Sequence, residues 1–165
     1  MTQSLLLEWD LDVLSDAMHL QNGDVLKYFQ DGRRISFVIE RRIRDAFPNW
    51  KIAPSEGSAF DLIDANGGRW ESRSVSKQIY FCPSYMVGSG RSFCENGFIS
   101  KLDDIEGYAC SDIMKFPRVP VYMVPSELIR DLYLKGQLGT GSKISSKVFY
   151  DRIVPRLGAP VIVKD

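Results

Sequence analysis

Residues 58–75 read SAFDLIDANGGRWESRSV. Two β-prone runs, 58–64 and 69–75, flank Ala65-Asn66-Gly67-Gly68, whose Asn and Gly residues supply turn chemistry. Side chains alternate faces along a strand, so Asp61 shares a face with Ile63, and Glu71 shares one with Arg73. Folding the second strand back on the first brings the Asp61 and Glu71 carboxylates within a few ångströms of each other, with a cation two residues beyond Glu71.

Working outward, residues 4–20 read as a helix, and 23–30 continue it until Asp31-Gly32 breaks the pattern. Ile35, Ile39, Ile43 and Ala46 recur at helical spacing, and Pro48 follows where the helix must stop. After the paired strands, 78–82 reads as a third strand and 83–97 as a loop dense in Gly, Ser and Pro. A short helix over 98–105 and a strand over 106–113 follow. Val119–Val124 is strongly β-like, and Ser126 is placed to cap a helix reaching about Lys135. A Gly/Ser loop, 136–142, leads to a last helix or strand pair. This order predicts an α/β (α+β) fold, a central mixed β-sheet flanked by helices. It also predicts one domain over 1–165: a helical segment over 1–34, a core over 35–135 and a terminal segment over 136–165.

Composition narrows the function. At 165 residues, with 44% hydrophobic and 25% charged side chains, the chain can bury a core without cross-links. No apolar run is long enough to span a bilayer, and the short Leu5-Leu6-Leu7 run followed by acids does not read as a signal peptide, so a cytoplasmic protein without a membrane partner is expected. Three scattered cysteines, without CxxC spacing, argue against a disulfide framework or zinc ribbon and read as buried thiols. A single histidine, His19, leaves no room for a Ser-His-Asp triad or a multi-histidine metal site. Net charge is zero, which disfavours an indiscriminate DNA coater, but the charges are sorted. Arg33, Arg34, Arg41, Arg42 and Arg44 form one basic run, and Lys135, Lys143, Lys147, Arg152 and Arg156 another.

Two carboxylates at close range repel unless a hard cation sits between them. Magnesium takes oxygen ligands, activates water and stabilises charge developing on a phosphate. The ordered set here is a helix bearing an acid, a strand with Asp61, a Gly turn and a strand with Glu71-x-Arg73. It resembles the PD-(D/E)xK nuclease superfamily and, within it, the small type II restriction endonucleases. The segment DIMKFPRVPVYMVPSELI, 112–129, is similar to the strand–helix half that completes such a fold. The resemblance implies Asp61 and Glu71 as catalytic magnesium ligands, with Glu40 of VIERRI as the helix acid that assists them. The family usually carries lysine where this chain has Arg73. Arginine stays protonated and cannot act as a general base, so Arg73 is assigned to charge stabilisation. Lys77 stands about 13 Å further along the strand, too far to substitute. Asp64 reads as a turn former, because it faces opposite Asp61.

For DNA contacts, the sequence offers Lys143, Lys147 and Ser145 in the second basic run, and Arg91 in the GSGRSF loop. The stretch 136–143 imitates a phosphate-binding loop, but Ser142 separates its last glycine from Lys143, so no nucleotide cofactor is expected. The reading is a Mg2+-dependent endodeoxyribonuclease cutting double-stranded DNA at a short sequence, as a homodimer. The alternatives are a repair or junction-resolving nuclease of the same fold, or a catalytically inactive DNA-binding relative, to which Arg73 would point. On this reading, truncating Asp61 or Glu71 relieves repulsion and leaves stability unchanged or slightly raised, and Arg73→Lys restores the usual constellation.

Overall fold

Strand alternation, which sends successive side chains to opposite layers, organises the centre of the protein. The computed structural model describes residues 2–55, 57–139 and 143–163. In chain order the strands are β1 (Leu5–Glu8), β2 (Lys51–Ile52), β3 (Leu62–Ile63), β4 (Arg69–Val75), β5 (Gln78–Tyr80), β6 (Gly107–Asp112), β7 (Arg118–Pro125), β8 (Lys143–Ser145) and β9 (Val161–Ile162). The helices are α1 (Leu11–Met18), α2 (Asn22–Phe29), α3 (Gly32–Ala46), α4 (Glu95–Asp104), α5 (Ser126–Leu134) and α6 (Ser146–Val148). Seven strands form one mixed sheet in the order β2-β3-β4-β6-β7-β1-β9, and β5 pairs separately with β8. The β4–β6 and β1–β9 pairs are parallel, and the other pairs are antiparallel.

β6 is buried along its whole length, as expected of a strand covered on both faces. Its Ala109 joins Val119, Val121 and Met123 of β7 in a cluster with Leu5, Leu7 and the α3 row Ile35, Ile39 and Ile43. Tyr108 and Cys110 of β6, with Tyr122 and Val124 of β7, join the opposite cluster with Leu102 of α4 and Ile129 and Leu132 of α5. The expected mixed sheet between helices is therefore present, and strand alternation separates its two apolar layers. The β3–β4 turn runs through Gly67 at φ +87, a backbone that L side chains rarely adopt. Asp64 is the turn former: its Oδ1 accepts the Asn66 and Gly68 N–H groups at 2.8 Å each.

Several boundaries differ from expectation. Residues 4–20 are not one helix, and the segment 1–34 is not wholly helical. Leu5–Glu8 alternates buried and half-buried positions and runs between β7 and β9. A run of three leucines satisfies either period, and pairing with β7 selects the extended one. Asp10 then caps α1, accepting the Asp12 and Val13 N–H groups at 3.1 Å. The expected strand 58–64 shrinks to Leu62–Ile63, and 78–82 shrinks to a strand outside the main sheet. Within 83–97, Ser84–Met86 forms a 3-10 turn, and α4 begins at Glu95 rather than 98. Ser126 is the first residue of α5, and Pro125 occupies the cap position without a side-chain bond. Beyond α6, a π-helical segment (Phe149–Ile153) and a 3-10 turn (Val154–Arg156) lead to β9. Cys82 and Cys110 are buried thiols as expected, whereas Cys94 is exposed. Thr140, Gly141 and Ser142 of the phosphate-loop-like stretch lie outside the described residues.

Ile43 is fully buried between α3 and the sheet cluster. Ile43→Ala is expected to cost about 2–5 kcal/mol by lost transfer energy and cavity formation. In urea unfolding the midpoint falls while the slope is kept.

Candidate active site

β3 begins late, and this opens the site. Among the described residues, it pairs with β4 only through Leu62–Trp70 and Ile63–Arg69, and the rest of that β4 edge has no strand beside it. Asp61 stands at that end. Its N–H donates to the Trp70 carbonyl at 2.9 Å, and its Oδ2 accepts the Ser72 N–H at 2.7 Å. The carboxylate thus occupies the place of the next ladder bond.

Glu71 lies one residue back on β4 and is 8% exposed. Its Oε1 meets Arg73 Nη1 at 2.8 Å, as same-face spacing requires. Its Oε2 is held by the ammonium of Lys101, which also donates to the Ala59 carbonyl. Lys101 was absent from the sequence-derived site, although its signal is legible. In α4 it shares the buried row with Phe98 and Leu102, at i+3 and i+4 spacing, where an apolar residue would be the default. Its bond to the Ala59 carbonyl also supplies a physical reason why 58–60 does not extend β3: a side chain, not a neighbouring strand, takes that acceptor.

Arg73 spreads its fork further, donating to the Cys82 carbonyl at 3.2 Å and the Ser72 carbonyl at 3.4 Å. Among the described residues, its buried Nε has no hydrogen-bond partner. Lys77 is in the turn after β4, where its carbonyl accepts the Ser146 N–H at 3.0 Å.

Glu40 reaches the site from α3. Burial lifts its carboxyl from about 4.5 to about 7, the charge of Asp61 adds to the rise, Arg41 opposes it, and Glu71 adds further. Burial also raises the Asp61 carboxyl, followed by the charge of Glu71, while the Ser72 N–H, Arg73 and Lys101 pull the other way. Asp61, Glu71, Arg73 and Glu40 are therefore brought to one place.

Three cavities meet at these carboxylates. A cleft of about 670 Å³ holds Arg33, Glu40, Asp61, Glu71 and Arg73. A cavity of about 420 Å³ shares Glu40 and Asp61 with it and continues past Phe37 and Arg41. Another of about 290 Å³ shares Glu71 and Ser84 with the first and continues past Lys101 and Tyr85.

The expected DNA-contact residues are placed less directly. Lys143 pairs in register with Tyr80, a cleft-lining residue. The Ser145 hydroxyl caps α6, accepting the Val148 N–H at 3.2 Å, and Lys147 is paired with Asp151. Arg91 is turned onto its own loop, donating to the Ser84 and Val87 carbonyls at 2.9 and 3.1 Å.

Among the described residues, no group of three or more histidine, cysteine, aspartate or glutamate side chains is gathered tightly enough to hold a metal ion. Magnesium needs no such group, since it is commonly held by one or two carboxylates and keeps several waters. The donor set of Asp61 and Glu71, oxygen only, has the chemistry magnesium prefers, while in this structure both Glu71 oxygens are met by Arg73 and Lys101. Among the described residues, no helix is long and apolar enough to cross a membrane. Comparison with protein-family models and with curated proteins gives no match.

The paired state of Glu71 replaces the expectation that truncating either acid is harmless. Glu71→Ala leaves Lys101 buried without its counter-ion, and a loss of about 3 kcal/mol in chemical unfolding is expected. Glu40 behaves oppositely. Its folded carboxyl holds a proton that the unfolded chain releases, so its unfavourable contribution grows as pH rises from about 4.5 to about 7. Without divalent cations, Glu40→Gln should be more stable than the parent at about pH 8, by about 1 kcal/mol after solvent screening, and equal to it at about pH 4. Urea titrations at both pH values check the sign.

Proposed function

We propose that the protein is a Mg2+-dependent endodeoxyribonuclease that hydrolyses phosphodiester bonds in double-stranded DNA at a short sequence, as type II restriction endonucleases do. The observation that carries this reading is the joining of Asp61 to Glu71 through β4, with two cations on Glu71, where open cavities meet. Cavities leading away on more than one side suit a strand laid through the site, and hence an internal cut. A symmetric target cut on both strands calls for two copies, and a homodimer is part of the proposal.

Asp61 and Glu71 would hold the metal, with Glu40 beside them. Magnesium, when bound, supplies Lewis-acid polarisation of the phosphate and a more acidic water. Arg73 supplies fixed positive charge for the phosphoryl oxygens as negative charge grows on them. Lys101 brings to Glu71 the amine that the strand itself lacks. An amine can give up and recover a proton, which a guanidinium in a protein does not do. Water forms the new P–O bond as the bond to the leaving sugar oxygen breaks.

A second reading, a non-catalytic DNA-binding relative, is favoured by one observation: both Glu71 oxygens already meet cations.

Plasmid digestion with millimolar magnesium separates these readings. Discrete fragments support restriction, preference for branched DNA supports junction resolution, and binding without cutting supports the second reading. If the first holds, Asp61→Asn and Lys101→Met each slow single-turnover cleavage by about a hundredfold or more. With Lys101 in place, Arg73→Lys adds no missing group and forfeits carbonyl contacts. A fall of about tenfold, equal to about 1.4 kcal/mol, is expected.

A further inference from the structure

The cleft continues beyond the carboxylates along the open edge of β4, and the groups there are suited to an anion. Backbone direction alternates along a strand, so the Ser74 N–H points to the same edge as the Ser72 N–H that Asp61 accepts. Among the described residues, no strand pairs with this part of β4 on that side. The Ser74 and Ser76 side chains line the cleft from this wall, and Ser36 and Arg33 line it from α3.

The walls are pressed together at Gly32, where a Cβ would stand 2.8 Å from Ser74 Oγ. A larger residue there would force the Ser74 hydroxyl to turn away or α3 to shift from the strand. Arg33 is exposed, and among the described residues its guanidinium has no ion pair. Asp31, the acid at this end, is already engaged: its Oδ1 accepts the Arg33 N–H at 3.0 Å, and its Oδ2 faces Arg34 at 3.6 Å.

We infer that this end of the cleft, formed by Arg33, Ser36, Ser74 and Ser76, is a phosphate subsite that grips the backbone of the cut strand to one side of the scissile bond. The inference rests on the nuclease reading. Spacing along both walls agrees with it. Arg33 lies seven helical residues from Glu40, about 10 Å. Ser74 lies three strand residues from Glu71, again about 10 Å. At a rise of about 3.4 Å per nucleotide, that reach falls within the first three nucleotides beside the cut. Hydroxyls, a backbone N–H and a guanidinium meet phosphate without reading bases, so the subsite adds affinity but no sequence preference.

The test uses the full chain, a duplex oligonucleotide carrying the mapped cut site, and calcium in place of magnesium during binding. Arg33→Gln should weaken binding about five- to tenfold and make the slope of log K against log salt shallower by about 0.9. Arg33→Lys should restore the slope. Uncharged methylphosphonates placed singly along the duplex should weaken the parent at one position within three nucleotides of the cut, and should leave Arg33→Gln unaffected there. A parent that binds and cuts DNA while Arg33→Gln keeps the full salt slope, or a lysine that fails to restore it, overturns the subsite and leaves the nuclease reading standing. A parent that neither binds nor cuts duplex DNA overturns both.

Discussion

A carboxylate that is 8% exposed survives in this protein because two cations hold it. Moving a charge out of water costs several kcal/mol, which only close, well-directed partners offset. Glu71 therefore dictates what surrounds it. Arg73 must lie on the same strand face, α4 must pack so that Lys101 reaches across, and Ala59 must keep its carbonyl turned towards that ammonium. The parallel β4–β6 pair sets the strand that carries Glu71, and the apolar cluster beneath α4 sets the helix that carries Lys101. The charged triad is thus assembled by the packing of apolar neighbours and in turn fixes how α4 meets the sheet.

Local chemistry made part of this legible in the sequence. The Asn-Gly-Gly turn, the β4 run and the row Ile35, Ile39, Ile43 each have one strong reading, and each appears in place. The same-face relation of Glu71 to Arg73 follows from strand geometry alone, and so does the role of Asp64 in the turn. The approach of Glu40 followed from the resemblance rather than from spacing, since its distance from Asp61 depends on how α3 crosses the sheet.

Tertiary pairing decided the rest. Leu5-Leu6-Leu7 carries no period of its own, and only β7 makes it a strand. Lys101 stands thirty residues after Glu71, and no local pattern links them. Its presence on the apolar face of α4 was the available signal, and a lysine there is informative because the interior so rarely accepts one unpaired. Ser145 and Arg91, chosen as polar loop residues, spend hydrogen bonds on their own backbone, as loop side chains commonly do.

An unpaired strand edge is a hazard, since its row of N–H and C=O groups can template another chain. Among the described residues β4 carries such an edge into the candidate cleft, and the protein guards it with the cleft's own parts. The Asp61 carboxylate covers the Ser72 N–H, and the start of α3 crowds Ser74 through Gly32. A foreign strand could dock there only by displacing a negative charge and prying off a helix. The acid at the centre of the candidate site is thereby also a gatekeeper against edge-to-edge aggregation, so its replacement would expose a pairing edge as well as remove a charge.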